Sequence, residues 1–575
     1  MRLPILFAIL LTGCSTTQAD PQPLDNPFEI LREAYAERDA AKAASAYTDD
    51  ATLRYQYTQS TEFHEGSDQI EASFQELFSR VDSDVPIDLN FRIESSEQNS
   101  ARLRQTGIYR LRFGDRDASF GTFDVLVSPD DGRFIADIST DSSRDDFERL
   151  AGPVMFDSES EDLDQQFYGK LTGRFAIDAE CDIVITQSFV RLFARNTCSG
   201  RWQGLTRLSG LEWTGGDRVI SDQETTRFEF VPDPSAEFLV SAINITEDGR
   251  TVSAQRRDRS TVTRVSFPAQ GGATLHGNLY TPAGASSGLA TVFVHGSGPQ
   301  DRNGYASIIA VSAEELAARG NTVLTFDKRG VGESSGDWSR MSFEQLGLDA
   351  VAAMQWLRNQ RSIGPHVGLA GSSQAGWVIA KAVEVGANPH HVHLLGAAGT
   401  ALSVEEQNIY NTRVRMQCEG IEASKIELAL EQQQAFFDYV RTRDNAETLD
   451  RLTDASIADP AIRDWLFPRS SEIDFPEGNW FTTLEVDFDP LPIWTAYTGR
   501  TMMVFSQFDD STPTRIAVDR LNEINTARND DLRVIELSGA QHIGLEATSP
   551  CAGSLSEVTR FHPDLFDTFD ALIAE

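Results

Sequence analysis

The run His366-Val367-Gly368-Leu369-Ala370-Gly371-Ser372-Ser373-Gln374-Ala375-Gly376 narrowly constrains how the second half of this chain can fold. Its apolar start reads as a buried strand, and residues 377–385 read as a helix. Only a sharp turn fits between them. Small residues on both sides let helix and strand approach, and they leave Ser373 at the tip of a strained backbone. A Gly/Ser-rich turn alone is weak information. Its neighbours give it weight.

From residue 260 onward, strand and helix patterns alternate: 288–294, a helix over 306–319, 323–326, a helix over 342–360, then the turn. Alternation of this kind predicts right-handed crossovers and a mostly parallel sheet, with ligands at the strands' C-terminal edge. Three candidate groups fall at that edge. Ser373 follows one strand, Asp509 follows the run 501–508, and His542 follows 532–537. A serine hydroxyl needs a base within hydrogen-bond reach, and an imidazole with a pKa near ~6.5 can take and return its proton. An acid behind the imidazole fixes its tautomer. Asp510 is the rival acid, and His562, placed at the start of a terminal helix, is the rival base.

The strand 290–294 runs into His295-Gly296-Ser297-Gly298-Pro299-Gln300-Asp301-Arg302. A glycine-rich bend leaves backbone donors unpaired, and such donors stabilise an oxyanion; removing one costs about 3–4 kcal/mol. The expected donors are the N–H groups of Ser297 and Gln374. His295 and Gly296 are expected to order this loop, and Asp301 with Arg302 to lock it as an ion pair. His390, His391 and His393 precede or begin an apolar strand, and with no Cys or Glu at ligand spacing they predict no metal site.

On these motifs, residues 258–575 resemble an α/β-hydrolase, with a helical cap inserted at about 402–495. The run His295–Arg302 is similar to the esterase branch bearing an HGSGP-x-DR signature. The run Asp327-Lys328-Arg329-Gly330-Val331-Gly332-Glu333-Ser334 matches the D-x-R-G-x-G-x-S loop of many such hydrolases. One departure is Ala375 where G-x-S-x-G has its last glycine. The resemblance implies a Ser373–His542–Asp509 hydrolase of carboxylic esters, with no metal or organic cofactor. Phe436, Phe437, Tyr439, Trp465 and Phe467 of the insertion are expected mainly to pack its helices together.

At the other end, Met1-Arg2 precedes a short apolar run and then Leu11-Thr12-Gly13-Cys14. This reads as an export signal over 1–14 and resembles a bacterial lipobox, which implies a lipid anchor on Cys14 in the cell envelope. The polar stretch 15–26 reads as a tether. Four further cysteines, Cys181, Cys198, Cys418 and Cys551, suggest disulfides in an exported protein. Three pairings are possible, and sequence locality favours Cys181–Cys198 and Cys418–Cys551. A net charge of −37, from 50 basic and 87 acidic residues, argues against a nucleic-acid partner.

Residues 27–149 begin with helices over 28–37 and 69–80, followed by alternating runs from 87 to 138. The pattern resembles the ketosteroid-isomerase-like α+β cone, in which Asp50, Tyr55, Tyr57 and His64 are candidate pocket groups. Residues 150–257 read as a module of short antiparallel strands at 167–171, 182–186, 189–194, 226–231 and 238–245, with Trp202 and Trp213 as core candidates. The expected function is hydrolysis of short to medium acyl esters. A peptidase or amidase of the same fold and a non-catalytic envelope lipoprotein are the alternatives.

Overall fold

The computed structural model describes residues 26–573 except 57–60, 80, 82, 84, 99–102, 115, 129–131, 142–168, 170, 189–190, 210, 222, 234–239, 339–340, 362, 464, 474–485 and 527–531. The signal, the tether, the lipobox Cys14 and Tyr57 lie outside the described residues. The described residues form three sheets.

The first sheet has six strands, in the order Thr61–Glu65, Tyr47–Gln56, Phe134–Asp141, Arg116–Val127, Leu103–Phe113 and Ile87–Gln98. Helices Pro27–Glu37, Ala40–Ala44 and Ser67–Ser79 pack on it through Phe28, Leu31, Tyr35, Ile70 and Phe74. The strand Tyr47–Gln56 was not expected between the helices; its Thr48-Asp49-Asp50 start has the composition of a turn.

The second sheet closes into a barrel of eight antiparallel strands between Gly173 and Arg256. Phe175, Ile183, Ile185, Trp213, Phe228 and Phe230 fill its interior, as an eight-stranded barrel requires. Closure is made by Arg250–Arg256 pairing with Gly173–Ala176. A strand over 167–171 is not borne out where the chain is described: Leu171 lies in a helical turn, while 167–168 and 170 fall outside. Cys181 and Cys198 form a disulfide on this barrel.

The third sheet contains β1 (Ser260–Pro268), β2 (Thr274–Pro282), β3 (Leu289–Val294), β4 (Thr322–Phe326), β5 (His366–Ser372), β6 (His391–Leu395), β7 (Arg500–Ser506) and β8 (Leu532–Leu537). Its order is β1-β2-β4-β3-β5-β6-β7-β8; β2 runs antiparallel to its neighbours, and the strands from β4 to β8 are parallel. This is the α/β-hydrolase sheet. Every residue of β3, β4 and β6 is buried, because helices cover both faces. Helices α1 (Ile308–Ala318), α2 (Phe343–Arg358) and α3 (Ala375–Glu384) provide the crossovers. Ser342 and Gln345 close a capping box that starts α2 within a residue of where the pattern predicts it.

Helix α1 is buried almost all round, since the barrel lies against its outer face. Two glutamates there would be costly without partners. Glu315 accepts from Arg174 at 2.8 Å and Arg195 at 2.6 Å, both on the barrel, and from Arg319 at 2.6 Å. Burial opposes its charge, but these guanidiniums outweigh burial and hold the Glu315 carboxyl at about 2. The barrel also pairs along the C-terminal segment, with the Trp202 amide donating to Thr559 O and the Phe561 amide to Gly200 O.

Between β6 and β7 the chain inserts helices α4 (Val404–Cys418), α5 (Ala423–Thr442) and α6 (Ala446–Ser456). Phe436, Phe437 and Phe467 pack edge to face there, so these aromatics hold the insertion together. The terminal helix spans Asp567–Ile573, later than His562. Among the described residues no helix is long and apolar enough to cross a membrane.

Candidate active site

Ser373 has φ of 56°, a left-handed conformation uncommon for a residue with a side chain. Its strain is held by close packing on both sides. A Cβ on Gly371 would lie 2.4 Å from Ala375 Cβ and 2.6 Å from Val294 O, and one on Gly376 would meet Ala397 and Gly399 at 3.0 Å. Ala375 is fully buried and fits, so the departure from glycine at that position is accommodated. The Ser373 amide donates to Leu395 O at the end of β6.

The residue just after β6, Gly396, reaches the other two candidates. It has φ of 55°, and a Cβ there would come within 2.3 Å of His542 O, 3.2 Å of its Nδ1 and 3.4 Å of Asp509 Oδ2. Its carbonyl accepts from Thr512 Oγ1 at 3.0 Å. Gly396 therefore seats the acid and imidazole loops beside the serine turn, and nothing local in the sequence marks it for that role. His542 Nδ1 lies 2.9 Å from each oxygen of Asp509. Asp509 also accepts from the amides of Ser511 at 2.8 Å and Thr512 at 2.6 Å. Burial pushes the His542 pKa down, but the charge and hydrogen bond of Asp509, with the charge of Asp510, carry it above the ordinary value.

Asp510 turns the other way, into an ion pair with Arg415 at 2.8 Å. Burial raises its pKa, but the Arg415 charge prevails and holds it below the usual carboxylate range. Helix α4 supplies this grip: Tyr410 donates to Asp509 O at 2.9 Å, and Asn411 to Asp510 O at 3.2 Å. The disulfide Cys418–Cys551 joins the end of α4 to the segment after His542. His562 is engaged elsewhere, donating through Nε2 to Ser538 O at 3.0 Å.

The loop after β3 lies against the turn. A Cβ on Gly296 would sit 3.5 Å from Ser373 Cβ. His295 donates to Phe326 O, and burial together with the Lys328 charge lowers its pKa to about 3, so the ring is neutral and structural. The expected Asp301–Arg302 ion pair is not formed. Arg302 instead donates through its amide and Nε to Asp327 Oδ1, at 2.7 and 2.9 Å, and it also reaches Glu333. Asp301 folds back on the amides of Asn303 at 2.9 Å and Gly304 at 3.1 Å. Adjacent opposite charges in a turn point apart when the backbone offers the carboxylate nearer donors. Two residues absent from the expected set, Asp327 and Lys328, thus hold the loop.

His391 hydrogen-bonds Thr291 at 2.9 Å and His393 bonds Thr568 at 3.0 Å, both within the core. Among the described residues no cluster of His, Cys, Asp or Glu could hold a metal ion. In the six-stranded sheet, Tyr55 and His64 stack edge to face with centroids 6.4 Å apart, while Asp50 is exposed.

Residues 271–475 match the X-Pro dipeptidyl-peptidase (S15) family. No curated protein matches the chain. Similar solved structures include an esterase from Pyrococcus furiosus, at 12% identity over 49% of this chain and 84% of that one, TM-score 0.32. Est1E from Butyrivibrio proteoclasticus, solved with ferulic acid, is 13% identical over 54% and 98%, TM-score 0.34. An α/β-hydrolase from Penicillium sp. sh18 is 18% identical over 49% and 91%, TM-score 0.31. The sheet order, the strained serine turn and the partial family match together describe a serine hydrolase of the α/β-hydrolase type.

Proposed function

We propose that the chain hydrolyses carboxylic esters of short to medium acyl groups through an acyl-enzyme on Ser373. The observation that carries this reading is the His542–Asp509 couple, seated by Gly396 next to a serine at φ 56°. Ser373 Oγ adds to the ester carbonyl carbon while His542 Nε2 takes its proton. The resulting oxyanion lies between the amides of Ser297 and Gln374, and collapse expels the alcohol, which leaves with the proton from His542. Water, deprotonated by the same imidazole, then releases the acid and restores the serine. Asp509 holds the tautomer with Nδ1 protonated and stabilises the imidazolium. Helix α4 grips the acid loop, and the insertion it opens selects the acyl or alcohol group.

The similarity of His295–Arg302 to an esterase signature favours esters, while the S15 match favours a second reading, cleavage of an amide after a short N-terminal peptide. Protein lacking residues 1–14 distinguishes them. The ester reading expects p-nitrophenyl butyrate to be turned over faster than a matched Xaa-Pro p-nitroanilide; the reverse order favours the peptidase. The two disulfides fit an exported protein, and Cys14 is proposed as the lipid-bearing residue that keeps it at the envelope. Palmitate labelling that survives Cys14→Ser would count against that anchor.

A further inference from the structure

The carbonyl of Gly296 and the N–H of Ser297 belong to one peptide unit, and Lys328 donates to that carbonyl. Lys328 Nζ lies 2.6 Å from Gly296 O, 2.7 Å from Gly298 O and 3.4 Å from Gln374 Oε1. One ammonium therefore touches both segments that carry the proposed oxyanion donors. Lys328 is 3% exposed and stands 5.1 Å from the centroid of the Trp338 ring. Among the described residues it has no carboxylate partner; its neighbours Asp327 and Arg329 pair instead with Arg302 and Asp349.

A buried ammonium without a counter-ion is an expensive way to fill space, since a methionine of similar length would pack there without losing hydration. Burial accordingly lowers the Lys328 pKa to about 7. The arrangement has a use at this location. A cation donating to an amide oxygen draws electron density through the peptide group and makes the N–H on its far side a stronger donor, by roughly 10–30% per bond in a chain of hydrogen bonds. Three oxygens gathered on one Nζ also fix the distance between the β3 loop and the residue after the serine.

We propose that Lys328 is a positioning residue for the oxyanion site, polarising the Gly296–Ser297 peptide and tying it to Gln374. This rests on the Ser373 reading above. Its effect is confined to states that carry negative charge on the former carbonyl oxygen, so it belongs in kcat and not in KM. The charged and titratable groups around it are His295, which is neutral, and the paired Asp327, Arg302 and Arg329, with Asp301 on the same loop.

The test compares wild type, Lys328→Met and Lys328→Arg on p-nitrophenyl butyrate. Alongside this, the Ki is measured for a trifluoromethyl ketone, which forms a tetrahedral oxyanion on serine, and for the matching alcohol, which does not. The expected result for Lys328→Met is a kcat lower by roughly 10–100-fold, KM within about twofold, a ketone Ki raised by the same factor as kcat falls, and an unchanged alcohol Ki. Wild-type kcat/KM should decline as pH rises and the ammonium is lost, and Lys328→Arg should shift that decline to higher pH. A Lys328→Met kcat within about twofold of wild type, or a kcat loss without a change in ketone Ki, overturns the proposal. If Lys328→Met does not fold, Lys328→Gln, which removes the charge while keeping a polar group there, decides: a kcat within about twofold of wild type, or an unchanged ketone Ki, also overturns it. Ser373→Ala separates the two claims: retained activity there refutes the nucleophile, whereas an inactive Ser373→Ala beside a fully active Lys328→Met refutes this inference alone.

Discussion

His542 Nδ1 sits 2.9 Å from both carboxylate oxygens of Asp509, whose side chain is fully buried and also capped by two backbone amides. The single N–H is shared, the ring plane is fixed, and Nε2 is left for a proton from elsewhere. Because the base must be neutral to act, and its pKa lies above the ordinary histidine value, the acid limb of kcat/KM should rise with pH through a midpoint above ~6.5, ahead of the decline set by Lys328. Asp509→Asn removes the largest raising influence, so the midpoint should fall, and kcat should drop on the order of 10⁴-fold. Asp510→Asn should lower the midpoint slightly and cost less than about tenfold. Paired pH–rate profiles check this; similar losses for both variants would contradict the assignment.

Gly396→Ala places a methyl within 2.3 Å of His542 O at a residue with φ of 55°. The strain costs roughly 1–3 kcal/mol, but the larger consequence is displacement of the imidazole. Activity should fall by about 100-fold or more in protein that still unfolds cooperatively. Thermal melts beside initial rates separate the two effects.

Glu315→Gln leaves Arg174, Arg195 and Arg319 buried or half-buried without their shared anion. Stability of the barrel–hydrolase contact should fall by about 3–5 kcal/mol, read as a lower urea midpoint. Because none of Glu315, Arg174, Arg195 and Arg319 belongs to the serine, acid or imidazole loops, kcat of the remaining native protein should stay within about twofold.

Cys418–Cys551 closes a loop with a sequence separation of 133 and ties α4 to the histidine segment. Cys551→Ser should lower stability by about 2–5 kcal/mol and loosen the Tyr410 and Arg415 contacts that hold the acid loop. Differential scanning calorimetry with and without reductant should show a lower transition in wild type plus reductant and no reductant effect attributable to this bond in the variant.

The parallel strands β3 to β7 were legible because strands covered on both faces are continuous apolar runs, and the serine turn because only small residues permit it. The barrel's closure was not, since the pairing of Arg250–Arg256 with Gly173–Ala176 leaves no local trace in either segment. Asp509 and Asp510 were inseparable as neighbours; the amides of Ser511 and Thr512 turn one inward, and Arg415 draws the other out. Asp301 and Arg302 looked like partners because they are adjacent, but Asp327, distant in sequence, takes the guanidinium. Gly396 and Lys328 act by position alone, so residue type gave no hint of either.

The central claim is that Ser373 is the nucleophile activated by His542. Labelling folded protein with a fluorophosphonate and mapping the adduct by peptide mass spectrometry tests it directly. The account predicts one adduct, on Ser373, that disappears in Ser373→Ala and forms at least about 100-fold more slowly in His542→Ala. Protein that hydrolyses ester while the adduct sits on Ser372 or another residue, or labels at full rate without His542, would contradict it.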